Sequence, residues 1–262
     1  MKNKIIFDLT SRLPGPLSTK TLEQLGFKII KFENICKDAF KQSKIKSFAH
    51  WYDDLNKNKE IINTDMSKDF LKEQIEKYKP EFIISQKQPK DNFGQKWLVI
   101  KGNKSSTPLH DLNVWSELGF IKNTTLPFLP FAGIMFSQII VQNILSLNSL
   151  NDHTKNIKTI YLVDELKKLL SPFLKNEEKT LHQGKFPCYQ IYELQDGFIS
   201  LACIEEKFWK EFCELFKLNF SLEDAFDQTS SVKHFLKLHL KQLTRKKANE
   251  LLSGRDICIS IT

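Results

Sequence analysis

The stretch Lys4–Glu33, KIIFDLTSRLPGPLSTKTLEQLGFKIIKFE, limits the possible folds more than any other part of the chain. Ile5, Ile6 and Phe7 form a short apolar run, followed by Asp8 and Leu9. Ser11–Pro16 is dense in chain breakers and reads as a turn. Thr19–Leu25 recover helical spacing, and Gly26 stands where a helix C-cap takes positive φ. Phe27–Phe32 make a second strand with Glu33 at its carboxyl end. Strand, helix and strand in this order form a βαβ unit, so the two strands lie parallel.

The following residues extend the pattern. Glu60–Asp65 read as a strand and Lys68–Lys79 as an amphipathic helix with Phe70, Leu71, Ile75 and Tyr78 on its inner side. Pro80 stops that helix, and Phe82–Ile84 and Trp97–Ile100 are further short strands. His110–Phe120 read as a helix, Leu126–Phe131 as a proline-punctuated loop and Ala132–Leu147 as a long apolar helix. Thr159–Leu170 resume an apolar pattern. Lys175–Thr180, KNEEKT, reads as a linker. Beyond it CYQIYEL and GFISLACI form a hairpin around Asp196-Gly197. Helices over 206–216, 231–243 and 245–252 follow, then a last strand over 257–261. The expected class is α/β. A Rossmann-like large domain with a mostly parallel sheet spans 1–174, and a small α+β domain spans 181–262.

Composition narrows the function. The 262 residues can bury one large core or two modest ones. The apolar stretch Leu126–Leu147 carries Pro127, Pro130, Ser137, Gln138, Gln142 and Asn143, too polar a load for a membrane span. No secretory leader is read at the start. The five cysteines, Cys36, Cys188, Cys203, Cys213 and Cys258, have no metal-binding spacing and suit a reduced, cytoplasmic compartment. No metal is expected. The net charge of +8 comes mostly from lysines spread along the chain, unlike the clustered footprint of a nucleic-acid binder. A basic field of this kind suits an acidic small molecule.

Four stretches, in order, resemble the family III CoA-transferases of the CaiB/BaiF type, most closely the alpha-methylacyl-CoA racemase branch. They are the opening LPGPLSTKTLEQLGFKIIKFE, the helix start His110-Asp111-Leu112-Asn113, the segment QGKFPCYQIYELQDGFISLACIEEKFWKEFC, and TRKKANELLSGRDICI near the end. The resemblance implies a Rossmann-like domain holding the CoA nucleotide and a smaller domain beside the acyl end. It also implies coenzyme A or an acyl-CoA as substrate, and two interlocked subunits. In the racemases a histidine and an aspartate exchange the proton alpha to the thioester carbonyl. In the transferases an aspartate carries first the acyl group, as an anhydride, and then CoA.

Carried over by position, His110 matches the racemase histidine, Asp111 the acid beside it, and Glu205 a supporting glutamate of the small domain. Asn56, Lys57 and Lys59 match a loop that approaches the CoA phosphates. Arg12, in the first loop with Pro16, is placed to meet a phosphate as well. Each has a plainer reading. His110, Asp111 and Glu205 suit helix starts, and Lys57 and Lys59 suit solvated charge. Phe208, Trp209, Phe212 and Phe216 recur at helical spacing and read as core.

The sequence also departs from the family. Pro130 stands where the essential aspartate is expected, and His153–Lys158 lacks the glycines of the segment after the long helix. Family members run on past the small domain, whereas this sequence stops at Thr262, so an ordinary or atypical homodimer, or a monomer, is expected. Two functions are therefore expected to compete. One is an enzyme acting on acyl-CoA with a replacement carboxylate, Asp111 or Glu117. The other is an inactive relative serving as a CoA-binding or partner subunit.

Overall fold

In the computed structural model, the residues described are 4–34, 38–64, 66–105, 109–121, 129–149, 156–174 and 181–262. Asp65, Cys36, Pro127, Phe128, the 153–155 part of the glycine-poor segment and the linker at 175–180 lie outside them. The chain divides into two compact units, Met1–Pro172 and Phe173–Thr262.

In the first unit β1 (Ile5–Leu9), α1 (Pro14–Gln24) and β2 (Lys28–Asn34) form the opening βαβ turn. Helix α1 begins well before the helix expected from Thr19. Pro14 and Pro16 stand in its first turn, where backbone N–H groups have no intrahelical acceptor, so the breakers start the helix rather than prevent it. Gly26 takes φ 95° behind it, as its position requires. After β2 come α2 (Ala39–Gln42), α3 (Lys46–Asn56), β3 (Glu60–Thr64), α4 (Lys68–Tyr78), β4 (Phe82–Ser85) and β5 (Trp97–Lys101). Then follow α5 (Asp111–Glu117), α6 (Phe131–Ser149), β6 (Ile157–Tyr161) and α7 (Leu162–Leu174). The apolar pattern over 159–170 thus divides into the end of a strand and most of a helix.

The sheet order is β3-β2-β1-β4-β5-β6, and each neighbouring pair is parallel. Both faces are covered. Ile6, Phe82, Ile84, Leu98 and Ile100 pack with α1, α5, α6 and α7, while Phe7, Ile30, Ile83 and Trp97 pack with α4. This is why the strands read as unbroken apolar runs. The order reverses between β1 and β4, and in such sheets ligands lie at the carboxyl ends of the strands at that point.

One exception to the apolar runs anchors the sheet. Asp8 in β1 is fully buried and lies in register beside Lys31 of β2, also buried. Asp8 Oδ1 accepts from Thr10 N at 3.0 Å and from the Thr10 hydroxyl at 2.5 Å. Its Oδ2 accepts from the Thr19 hydroxyl at 2.6 Å and from Lys59 Nζ at 3.2 Å. Lys31 Nζ donates to the Thr10 carbonyl at 2.6 Å. Gly15 lets α1 close over this point, since a Cβ there would sit 2.0 Å from Thr10 Oγ1. Burial by itself would raise the Asp8 carboxyl, but Lys31 and Lys59, with the two threonine hydroxyls, hold it well below the usual range.

The second unit is built separately. Strands β7 (Tyr189–Glu193), β8 (Phe198–Ala202) and β9 (Ile259–Ile261) form an antiparallel sheet in that order. Helices α8 (Glu206–Leu215), α9 (Ser231–Leu240) and α10 (Arg245–Leu252) complete it. Phe208, Trp209, Phe212 and Phe216 are buried in its core with Tyr192, Ile199 and Leu201. The architecture matches the expected class: a Rossmann-like parallel α/β unit and a small α+β unit.

Replacing Asp8 with Asn leaves two buried lysines without their counter-charge and should cost about 3–5 kcal/mol, read from urea unfolding at neutral pH. The folded-state pKa of Asp8 is depressed. Its contribution is therefore fully present above the ordinary carboxylate range and is lost as pH falls below about 4. The Asp8→Asn protein should show a flatter stability profile over that acid range, and an unchanged profile would count against the assignment.

Candidate functional site

At the sheet's point of reversal the chain leaves β1 through Thr10, Ser11 and Arg12, and leaves β4 through Gln86, Lys87 and Gln88. Two cavities open there. One, of about 520 Å³, lies toward α6 and α7; its lining includes Arg12, Lys87, Lys101, Leu109 and Phe136. Among the described residues, Arg12, Lys87 and Lys101 are the charged ones in its lining, and no carboxylate stands among them. The other, of about 570 Å³, lies toward α4; its lining includes Thr10, Glu33, Met66, Phe93 and Trp97. Residues 86–88 wall both.

The sequence-derived candidates take different places around this crevice. Arg12 adopts φ 66°, and its N–H donates to Asp38 Oδ2 at 2.9 Å. Arg12 lines the cationic pocket. Pro16 is buried in the first turn of α1, where its carbonyl accepts from Lys59 Nζ at 2.9 Å. Asn56 is buried at the end of α3, with its Oδ1 2.9 Å from Lys59 Nζ and its Nδ2 donating to the Tyr52 carbonyl at 2.8 Å. The Lys59 side chain is 1% exposed, and its ammonium also lies 2.7 Å from the Thr19 hydroxyl and 3.2 Å from Asp8. Burial pulls that ammonium down to about 8, partly offset by Asp8. Pro16, Asn56 and Lys59 thus come together, but facing inward around Asp8. Lys57 is exposed and pairs with Asp54 at 3.2 Å.

His110 and Asp111 begin α5. His110 is its exposed N-cap, and the His110 N–H donates to Asn113 Oδ1 at 3.0 Å. Asp111 turns the other way. Its Oδ1 accepts from the Gly133 N–H at 2.8 Å, in the first turn of α6. Burial raises the Asp111 carboxyl above its usual range, with the Gly133 N–H acting against the shift. Pro130 directly precedes α6, and its carbonyl accepts from Ile134 N at 3.0 Å. A carboxylate therefore does stand at the start of the long apolar helix, delivered by α5 rather than by the residue just ahead of α6. Glu117 is at the other end of α5. Glu205, in the second unit, is the exposed N-cap of α8, and its carbonyl accepts from Phe208 N at 3.0 Å.

Sequence reasoning missed Lys87 and Lys101. Nothing in their spacing marks them, and only the strand order brings them beside Arg12. It also missed the buried cluster, although an aspartate inside an apolar central strand is itself a signal that cations lie nearby. Among the described residues no His, Cys, Asp or Glu cluster is arranged to hold a metal ion. None of the described helices is long and apolar enough to cross a membrane.

Comparison with known proteins locates this architecture. A sequence profile described as CoA-transferase family III matches residues 165–261. No curated protein sequence matches the chain. Among solved structures, a hypothetical protein of Mycobacterium tuberculosis, Rv3272, superposes with a TM-score of 0.77 at 17% identity, covering 99% of this chain and 84% of that one. A CaiB/BaiF family protein of Brucella suis superposes with a TM-score of 0.71 at 16% identity, covering 99% of this chain and 82% of its own. The fold of this chain is that of the CaiB/BaiF-type proteins, CoA-transferase family III.

Proposed function

We propose that this chain binds coenzyme A or an acyl-CoA and acts on the thioester, as a CoA-transferase or as an alpha-methylacyl-CoA racemase. The observation that carries the reading is the cavity of about 520 Å³ whose charged lining is Arg12, Lys87 and Lys101. Coenzyme A is a polyanion with a diphosphate and a further phosphate, and three cations with no carboxylate among the described lining residues favour such a ligand. The same cavity reaches Leu109, next in sequence to His110 and Asp111. A ligand with its phosphates on the cations can extend its acyl end toward those two residues.

His110 and Asp111 suit the chemistry. A neutral imidazole can take a carbon-bound proton held against it. A carboxylate raised by partial burial is a stronger base and a better nucleophile than one in water. In racemisation the two would take and return the proton alpha to the carbonyl. In transfer the Asp111 carboxylate would attack the thioester carbonyl and release the CoA thiolate. Glu205 is the second unit's proposed site residue, on the strength of the sequence resemblance alone. In this reading Lys57 is a second-line phosphate contact, while Asn56, Lys59 and Pro16 hold the loop that carries it.

A second reading, CoA binding without chemistry, is favoured by Pro130, which can neither accept a proton nor attack an acyl group, and by the engagement of Asp111 with the Gly133 N–H. The two readings predict different outcomes. Titration calorimetry with coenzyme A and acetyl-CoA should give micromolar binding. Lys87→Ala and Lys101→Ala should each weaken it about tenfold by removing a charged contact. Absence of binding at millimolar ligand would remove both readings.

Activity separates them. Deuterium exchange alpha to the carbonyl of a 2-methylacyl-CoA, and transfer of CoA between carboxylic acids, should both be tried. Whichever the wild type catalyses should fall by a factor of about 10²–10⁴ in Asp111→Asn, with coenzyme A affinity little changed. A wild type that binds coenzyme A but catalyses neither is the binding subunit of the second reading.

A further inference from the structure

We propose that Gln86 is a positioning residue that sets the spacing of Arg12 and Lys87 and so tunes the cationic pocket for phosphate groups. The inference rests on the reading of that pocket as the coenzyme A phosphate site. In a sheet of this order the loops after β1 and β4 run to opposite sides, and the gap between them is the ligand crevice. Here the gap is bridged. The Ser11 N–H and hydroxyl donate to Gln86 Oε1 at 3.3 and 3.0 Å, and Gln86 Nε2 donates to the Ser11 carbonyl at 3.4 Å. The bridge joins the two loops where the 520 and 570 Å³ cavities share a wall.

The residues next to the bridge are charged. Arg12 follows Ser11, Lys87 follows Gln86, and both line the smaller cavity. Like charges on facing loops repel, and that repulsion tends to part the loops until an anion arrives. A side-chain amide supplies both an acceptor and a donor to Ser11 and holds the loops together without cancelling their field. A carboxylate at the same place would keep the acceptor, lose the donor and neutralise part of the charge that an anion needs. On its other side the Arg12 backbone, at φ 66°, is held by Asp38. Arg12 is thus fixed through its own N–H and through Ser11, and it lines the cavity.

The test is calorimetric titration of the full chain with inorganic pyrophosphate and with coenzyme A, on the wild type, Gln86→Ala and Gln86→Glu. Gln86→Ala should bind both ligands about tenfold more weakly, with little change in Tm, because Gln86 is exposed and bridges only loops. Gln86→Glu should bind them more weakly than Gln86→Ala, and added salt should narrow the gap between the two variants. A purely structural role would make the glutamate, which keeps one side of the bridge, the milder change. Wild-type affinity for pyrophosphate in Gln86→Ala, or a glutamate variant that binds better than the alanine, overturns the proposal. If the wild type binds pyrophosphate but not coenzyme A, and Gln86→Ala weakens pyrophosphate, the positioning role stands and the coenzyme A reading falls. If the wild type binds neither at millimolar ligand, both fall.

Discussion

The buried charge cluster around Asp8 is the constraint on which the first unit depends. Taking a carboxylate and two ammonium groups out of water is expensive, and only close geometry repays it. The cluster draws that geometry from β1, β2, α1 and α3 at once: Asp8, Lys31, Thr19 and Pro16, and Asn56 with Lys59 just beyond it. A slip of β1 by one residue would turn Asp8 to the opposite face of the sheet, away from both Thr19 and Lys59. The apolar residues of β1 tolerate such a slip far better, because both faces of the sheet are covered by apolar layers. The charge therefore specifies the register that hydrophobic burial leaves open. It also sets the exit of the chain. Thr10 is tied to Asp8 through its N–H and hydroxyl and to Lys31 through its carbonyl. Ser11 and Arg12 follow from that fixed point and enter the crevice.

Much of the fold could be read from the sequence because both sources of signal were local. The apolar runs 5–7, 82–84 and 97–100 are strands whose two faces are both buried, and Gly26 behind Leu25 marks a helix end. The hairpin over 189–202 was visible from its turn residues for the same reason. The start of α1 was misread because proline was weighed as a helix breaker without regard to position. In the first turn its missing N–H has no structural consequence. The pattern over 159–170 was legible as buried chain but not as β6 passing directly into α7, since no breaker separates Tyr161 from Leu162.

The site was less legible, and the reason is again physical. Lys59 occupies a lysine-rich segment, LNKNKE, in which a solvated ammonium is the ordinary outcome. Its inward turn is dictated by Asp8, 51 positions earlier in the chain. Lys87 and Lys101 became candidates only once the order of β1, β4 and β5 put the carboxyl ends of those strands side by side at one edge of the sheet. The overall charge of +8 was a poor guide here. What distinguishes the smaller cavity is that no carboxylate stands among the described residues of its lining. The larger cavity also carries lysines, but Glu33, Asp38 and Asp91 stand among them.

Asp111 brings the question of catalysis to one residue. Read along the sequence, the position ahead of α6 holds proline and the carboxylate is gone. Read in space, a carboxylate stands at the start of α6 because α5 delivers it there. Capping alone would explain its presence, since the N-terminus of a helix attracts negative charge and donates N–H groups. A cap in water is stabilised in its ionised form, whereas burial works against the charge. Asp111 lies above the usual range, because burial outweighs the Gly133 N–H. A fully exposed cap would have given α6 the same hydrogen bond without that penalty. In the proposed reading, Asp111 is the carboxylate to test for proton transfer or thioester attack, because it stands at the start of α6 and two positions along the chain from Leu109, which lines the cationic cavity.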